Sequence, residues 1–423
     1  MAHLWTVDHL QHELVPDAPN SSTLTADGSV IQTVKPENLH FLMQLGVLGP
    51  GTISYEISRT AKNDDGSPVV VDQTDGSDMV AAYKTDFALR RADLEDPVMA
   101  GMHTSAPSAE DSGDAPLGPV QIAGMDWLHY LDLRVWPYDA TLSYVNWPDG
   151  FAFNVAAAEI GQLIKDILET VRDLSAAYPG PPDPTATPSY SLGFTVDADD
   201  TGVSMDYLIS PFDSTTILAM IQQLASAETY AGGYGFEFFM TWDKVFRLVY
   251  PSIGDPTSPV FTLEVDATTH VANMRKVGFT NNGPLATHVL GVGSGTANKQ
   301  GGINKHFPKN SAVYRRIDQV ASFAQVADLG ALEALTGGTL AFGANPVHEI
   351  PVEVDPADIP NFWTVCKPGV YVEVVYDLGV HQINSVQKVV SMDCTVDEEG
   401  NETVVLGFNQ YYDVSPASGI DDW

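Results

Sequence analysis

Strand-length runs of β-branched and aromatic residues recur along nearly the whole chain, and turn residues cut them before a helix could develop. With 35 Gly and 28 Pro in 423 residues, the punctuation is dense enough to fix the class. Runs of four to eight such residues between Gly, Pro, Asn and Asp clusters are the pattern of short strands in sandwiches and barrels. In the first part the runs are Thr52–Ile57, Val69–Val71, Phe87–Leu89 and Val120–Ala123. In the last part they are Phe261–Val265, Met274–Phe279, His288–Val292, Tyr371–Tyr376, Val386–Met392 and Thr403–Phe408. The turn Asp397–Asn401 makes the last two a hairpin, and a helix over 323–335 interrupts the series. The stretch Thr104–Pro119, rich in Ser, Asp, Gly and Pro, has too little apolar content to enter a core and reads as a long exposed loop.

One segment breaks the rule. Ile160, Leu163, Ile164, Ile167, Leu168, Val171 and Leu174 recur with helical spacing, while Lys165, Asp166, Glu169 and Arg172 fall on the opposite side. This predicts a one-sided amphipathic helix, stopped by the proline-rich run Tyr178–Pro184, which no helix can cross. A second helix is expected from an N-cap at Ser214, burying Ile217, Leu218, Ile221 and Leu224. The pattern then returns to strands at Phe236–Trp242 and Val245–Val249, with Asp243-Lys244 as a two-residue hairpin turn and Pro251–Pro259 as a linker. The expected fold is mainly β with a smaller α/β part: two barrel-like β domains flanking a helix-containing middle region. The boundaries are 1–145, 146–255 and 256–412, with 413–423 as an acidic C-terminal tail. No internal repeat is present.

Charge limits the partners. The chain carries 20 Lys and Arg against 55 Asp and Glu, a formal net charge of -35. Nucleic-acid binding requires basic side chains to neutralise phosphates, and here the densest basic spots are the isolated pairs Arg90-Arg91 and Arg315-Arg316. An acidic surface suits a channel through which DNA passes without sticking, and equally well suits simple solubility. No segment approaches the roughly 18 uninterrupted apolar residues of a bilayer crossing, and the opening Met-Ala-His-Leu-Trp-Thr-Val-Asp leads to the expectation of no signal peptide. Cys366 and Cys394, the two cysteines, are read as free buried thiols, as suits assembly in a reducing cytoplasm.

No catalytic, cofactor-binding or metal-ligating residues are assigned. His9, His12 and Glu13 lie close in sequence but lack a zinc motif and a distant ligand. Gly291-Val292-Gly293-Ser294-Gly295 follows an apolar strand, yet Thr296 stands where a dinucleotide fingerprint needs its third glycine. A turn between strands explains it better. Glu237 and Asp243 flank a strand beside Trp242, an arrangement that a sugar site could use; packing of Trp242 into the middle core is the plainer reading. Exposed aromatics at Trp136, Trp147 and Trp242 would favour a β-rich binding module for sugars or a partner protein.

Three stretches carry a family resemblance. Gly124-Met125-Asp126-Trp127-Leu128-His129-Tyr130-Leu131-Asp132-Leu133-Arg134 follows a strand, Gly235–Pro251 brings two strands together around Thr241-Trp242-Asp243, and Lys367-Pro368-Gly369 feeds a strand that precedes Val404–Phe408. Together they resemble the tail-hub (minor tail, baseplate hub) proteins of long-tailed phages infecting actinobacteria. The resemblance implies a non-enzymatic structural protein of the virion tail tip, assembled in the host cytoplasm. It implies a homotrimer in which two barrel-like domains per chain form a pseudo-six-fold ring, matching the six-fold tail tube to three-fold tip components. Distal-tail, tube and other tip proteins would be its partners, and phage DNA would pass through without specific binding. No cofactor or membrane span is implied. An envelope-directed glycan hydrolase or a β-rich glycan-binding module is the alternative.

Overall fold

In a computed structural model, the structure describes residues 4–11, 30–58, 85–105, 119–134, 153–177, 193–209, 216–225, 235–266, 271–278, 280–281, 286–293, 302–306, 316–322, 332–333, 336–337, 339–340, 348–349, 351–377, 382–410 and 421–422. The first region holds β1 (Trp5–Gln11), β2 (Val30–Val34), β3 (Asn38–Gln44), β4 (Thr52–Ile57), β5 (Thr85–Arg91), β6 (Met99–His103), β7 (Val120–Asp126) and the short α1 (His129–Asp132). The middle holds β8 (Phe153–Glu159), α2 (Ile160–Ala177), β9 (Thr195–Ala198), β10 (Ser204–Ile209), α3 (Ile217–Ala225), β11 (Glu237–Met240) and β12 (Val245–Val249). The last region holds β13 (Thr262–Asp266), β14 (Val271–Ala272), β15 (Met274–Val277), β16 (Thr280–Asn281), β17 (His288–Val292), β18 (Gly302–His306), β19 (Asp318–Ser322), β20 (His348–Glu349), β21 (Val352–Val354), α4 (Phe362–Val365), β22 (Tyr371–Asp377), β23 (Gln382–Val396), β24 (Glu402–Gln410) and β25 (Asp421–Asp422). The chain is mainly β with a helix-containing middle, as its patterning requires.

The two outer regions share one 14-stranded sheet, ordered β14-β13-β22-β23-β3-β4-β7-β6-β5-β1-β2, with β24, β21 and β15 branching from β23. The shared element is the 15-residue β23. Its first half pairs with β22; its second half pairs with β24 on one edge and with β3 on the other, Ser391 opposite Gln44 through Val396 opposite Leu39. A bulge between Val389 and Ser391 gives the strand the local bend it needs to serve both.

Burial follows the sequence period. On β4 the pattern alternates, with Ile53, Tyr55 and Ile57 inside. β5 and β6 do not alternate: every residue from Thr85 to Leu89 and from Met99 to His103 is buried. They lie between two cores. Phe87, Leu89 and Met99 join a cluster with Trp5, Phe41, Trp363, Val374, Met392 and Val404 from both ends of the chain. Ala88, Ala100 and Met102 join the core of the middle region, with Ile164, Ile167, Leu168, Phe238 and Phe246. Strands covered on both faces read as continuous apolar runs. In the middle, α2 buries the predicted stripe from Ile160 to Val171, each large side chain contributing about 2 kcal/mol. Glu159 caps it by accepting from Gln162 N at 2.7 Å and from Thr201 N at 2.7 Å. The side chain of Leu174 lies outside the described residues.

Several expectations shift. Ser214 is outside the described residues, and it is Thr216 Oγ1 that accepts from Ala219 N at 3.2 Å at the head of α3. The β11–β12 turn has three residues, 242–244, instead of two: Thr241 N donates to Val245 O and Lys244 N to Thr241 O. Lys244 takes the left-handed conformation (φ 64) that ends such a loop, a place usually filled by glycine. The expected strand at Met274–Phe279 ends at Val277, and Phe279 is outside the described residues. Val69–Val71, most of Thr104–Pro119 and Tyr178–Pro184 also lie outside them. Of the helix expected over 323–335, Leu332 and Glu333 are described, and both are helical. Asp421 and Asp422, in the acidic tail, pair with β18.

The first region also encloses a polar chain. His9 Nε2 lies 2.7 Å from the Tyr55 hydroxyl, which lies 2.9 Å from His103 Nε2. His103 Nδ1 is 3.2 Å from the Thr85 carbonyl and 3.0 Å from the Thr85 hydroxyl; a proton on Nδ1 serves the carbonyl, which can only accept, and leaves Nε2 to accept from Tyr55. His9 Nε2–H then donates to the Tyr55 oxygen. This neutral arrangement pairs both ring nitrogens of His103 and both functions of the Tyr55 hydroxyl, whereas a second proton on His103 would turn Nε2 from an acceptor of the Tyr55 hydrogen into a competing donor. Burial accordingly pulls His9 well below the usual imidazole range and His103 down to about 4. A depressed imidazole contributes stability that is present above the unfolded value near 6.5 and lost as pH falls through the folded one. The urea midpoint is expected to drop between pH 6.5 and 4, and to drop less in His103→Gln; equal slopes would show that the pair does not titrate with folding.

Candidate functional site

Three buried joints fasten the regions to one another, and they account for most of the sequence stretches singled out above. The first is the Gly124–Arg134 stretch. Gly124 lies so close to the Phe87 ring and the Met102 carbonyl that a Cβ has no room. Asp126, at the end of β7, accepts from Gly51 N at 2.8 Å and from Leu128 N at 3.1 Å, tying the β3–β4 connection to the head of α1. Burial pushes its carboxyl up to about 7, against the pull of those backbone donors. Trp127, 2% exposed, donates through Nε1 to the Trp242 carbonyl at 3.0 Å, and Lys244 Nζ stands 4.6 Å over its ring. The carbonyl of Arg134 receives Ile217 N at 2.8 Å, and Gln222 of α3 donates to Gly46 O at 2.9 Å.

The second joint links the middle to the last region. Lys388 Nζ, on β23, meets Glu237 Oε2, on β11, at 2.5 Å, with the two side chains 8% and 17% exposed. The same oxygen accepts from Ile253 N at 2.7 Å, and the ammonium lies 4.9 Å over the Tyr371 ring. Burial pushes the Glu237 carboxyl up and the Lys388 ammonium down, while their mutual attraction opposes both shifts. Pro251–Pro259, expected as a linker, is therefore pinned at Ile253.

The third joint is Glu402, which gathers elements from across the chain. Its carboxylate accepts from Trp5 Nε1 at 2.8 Å, Trp363 Nε1 at 2.9 Å and Arg91 Nε at 3.0 Å. The Arg91 guanidinium stands 5.7 Å from both indole centroids, and the indoles meet edge to face at 5.0 Å. Both indoles and Arg91 Nε converge on this one carboxylate while Arg91 Nη1 turns outward to Asp93, so the group is a satisfied, largely buried charge network.

The residues weighed for other chemistry do not converge. His9 sits on a strand, bonded to Tyr55, while His12 and Glu13 are outside the described residues. Among the described residues no group of three or more His, Cys, Asp or Glu is placed to hold a metal. Gly291 lies on β17, which pairs with the antiparallel β18, and a Cβ there would strike Thr336; Ser294 to Thr296 lie outside the described residues. Glu237 is held in its ion pair at the opposite end of β11 from Asp243, and Trp242 packs against the middle core. Trp136 and Trp147 are outside the described residues. Cys366 and Cys394 are free and buried, and burial pushes both thiols up, away from the reactive thiolate. No described helix is long and apolar enough to cross a membrane.

No protein-family model and no curated protein matches the sequence. Solved structures do. A tail protein from Neisseria meningitidis MC58 superposes with a TM-score of 0.59 at 13% identity, covering 97% of this chain and 98% of its own. The 43 kDa tail protein of prophage MuSo2 from Shewanella oneidensis superposes with a TM-score of 0.57 at 10% identity, covering 96% and 98%. The fold is that of a phage tail protein. Neither source is an actinobacterium, so the actinobacterial host drawn from the resemblance has no support.

The joints make a quantitative demand. Removing one partner of a buried ion pair costs about 3–5 kcal/mol, whereas replacing both by apolar residues is often close to neutral. Lys388→Met is expected to lose that amount in urea unfolding, and adding Glu237→Leu to recover at least half of it. Additive losses would show that the two groups do not interact.

Proposed function

We propose that this chain is a structural virion protein, a homotrimeric hub at the tail tip that joins the six-fold tail tube to three-fold tip components and surrounds the DNA channel. The observation that carries the proposal is the near end-to-end match with two tail proteins, in which neither chain has more than a small part unaccounted for. A hub needs two β regions per chain held rigidly, so that three chains present six similar faces to the tube. The single sheet through β23 and the three buried joints supply that rigidity. Head-to-tail contacts that close at three copies form a ring. Distal-tail, tube and tip proteins are the partners, assembly occurs in the host cytoplasm, and a net charge of -35 per chain leaves DNA free to pass. The role is mechanical and calls for no catalytic residue or cofactor. Envelope glycan hydrolysis or binding loses its main support with Glu237 occupied by Lys388 and Trp242 packed in the middle core.

Light scattering of the purified protein across a concentration series is the test. A stable species near three times the 45.5 kDa chain mass is expected. A monomer at every concentration, together with absence of the chain from purified tail particles, would overturn the hub.

A further inference from the structure

One face of the 14-stranded sheet is covered along only part of its width. Over β1, β5 and β6 it is roofed by the middle region, whose core takes in Leu10, Ala88, Ala100 and Met102. Over β7, β4, β3 and the second half of β23 no described residue covers the same face. The registers place Gln121 beside Glu56, Ser54 beside His40, and His40 beside Thr395, so the open strip runs across the seam where the first and last regions meet. It forms a shallow cleft of about 360 Å³, and no Lys or Arg among the described residues lines it.

The chemistry of this strip argues against a sticky surface of any kind. A protein interface is anchored by aromatic, Met or Arg side chains in its centre; at the centre of this strip stand Asn38, His40, Ser54, Glu56, Gln121, Ala123 and Thr395, and the half-buried Leu42 and Met125 lie at the end nearest the middle region. The acids are already engaged. Glu56 accepts from Asn38 Nδ2 at 2.7 Å and Gln121 Nε2 at 2.9 Å, and Asp393 is paired with His40 at 2.6 Å. A nucleic-acid site would need cations for phosphates, and the described lining has none. What remains at the centre is a shallow polar face of short side chains without described cations or aromatic anchors.

Resting on the hub reading, we infer that this open face over β23, β3, β4 and β7 is the wall of the DNA channel, past which the double helix slides without binding. The alternatives, a contact between subunits or plain outer surface, predict different behaviour. The test places three lysines on the face by Ser54→Lys, Gln121→Lys and Thr395→Lys, all exposed positions, and three elsewhere by Thr195→Lys, Ser322→Lys and Ala357→Lys, also exposed. Both sets are carried in tail particles of the phage that encodes the chain, after thermal melts of the isolated variants establish that both fold.

On a channel wall, the face set is expected to assemble and then slow triggered DNA ejection by about tenfold at low ionic strength, with the delay shrinking as salt is raised. The second set is expected to eject like the parent. Normal ejection by the face set would overturn the inference in favour of an outer surface, and loss of assembly by that set alone would overturn it in favour of a subunit contact. Absence of the parent chain from purified particles would instead remove the hub reading itself.

Discussion

The pairing of β3 with β23 is the constraint on which the architecture turns. Residues 39–44 and 391–396 lie side by side, although more than 300 residues separate them in the chain. Without that ladder the first region would end at β3 with an open edge, and the last at β23 with another. Exposed edges invite association with other chains. With it, one sheet passes through both regions, and Phe41, Met392 and Cys394 can share a core with Trp5 and Trp363. The Glu402 network reinforces the same seam from the interior, and its strength comes from exclusion of water: one carboxylate satisfies three buried donors that would otherwise have no partner.

The middle region depends on the seam at one remove. It packs on β5 and β6, whose opposite face is the shared core, so these two strands are the layer between the cores. A change of volume at Ala88 or Ala100 on the middle side is felt by the backbone that also carries Phe87, Leu89 and Met99 on the other, because packed interiors transmit strain instead of absorbing it. The Gly124–Arg134 stretch links to the same layer, since Gly124 fits only against Phe87 and the Met102 carbonyl.

Much of the fold is legible in the sequence because local period and burial agree. The stripe from Ile160 to Val171 and the alternation of Thr52–Ile57 each name their buried face correctly. Legibility fails where tertiary context decides. Met99–His103 contains no β-branched residue, so nothing local marks it as a strand; its two-sided burial comes from partners far away in the chain. Lys244 adopts a left-handed turn conformation that sequence statistics assign to glycine, held in place by the Trp127 ring. Trp127 and Asp126 are visible as a motif, but their partners, Trp242 O and Gly51 N, depend on the packing of the middle region against the sheet. Glu402 gives no signal at all among 55 acids. The ion pair of Glu237 with Lys388 spans 151 positions, and for that reason a carboxylate that looked available for chemistry is occupied.

The bond from Trp5 to Glu402 spans 397 positions, and this sets a clock on the birth of the molecule. A ribosome adding roughly 5–20 residues per second needs on the order of 20–80 s to travel that distance. Throughout that interval the apolar faces of β1 and β3 exist without β23 or β24 to cover them. Contacts this remote are also the slowest to form once the chain is free. The earliest-made strand is thus among the last to be completed, and the newborn chain spends most of its synthesis as a client of whatever holds exposed β-strands apart in the cell.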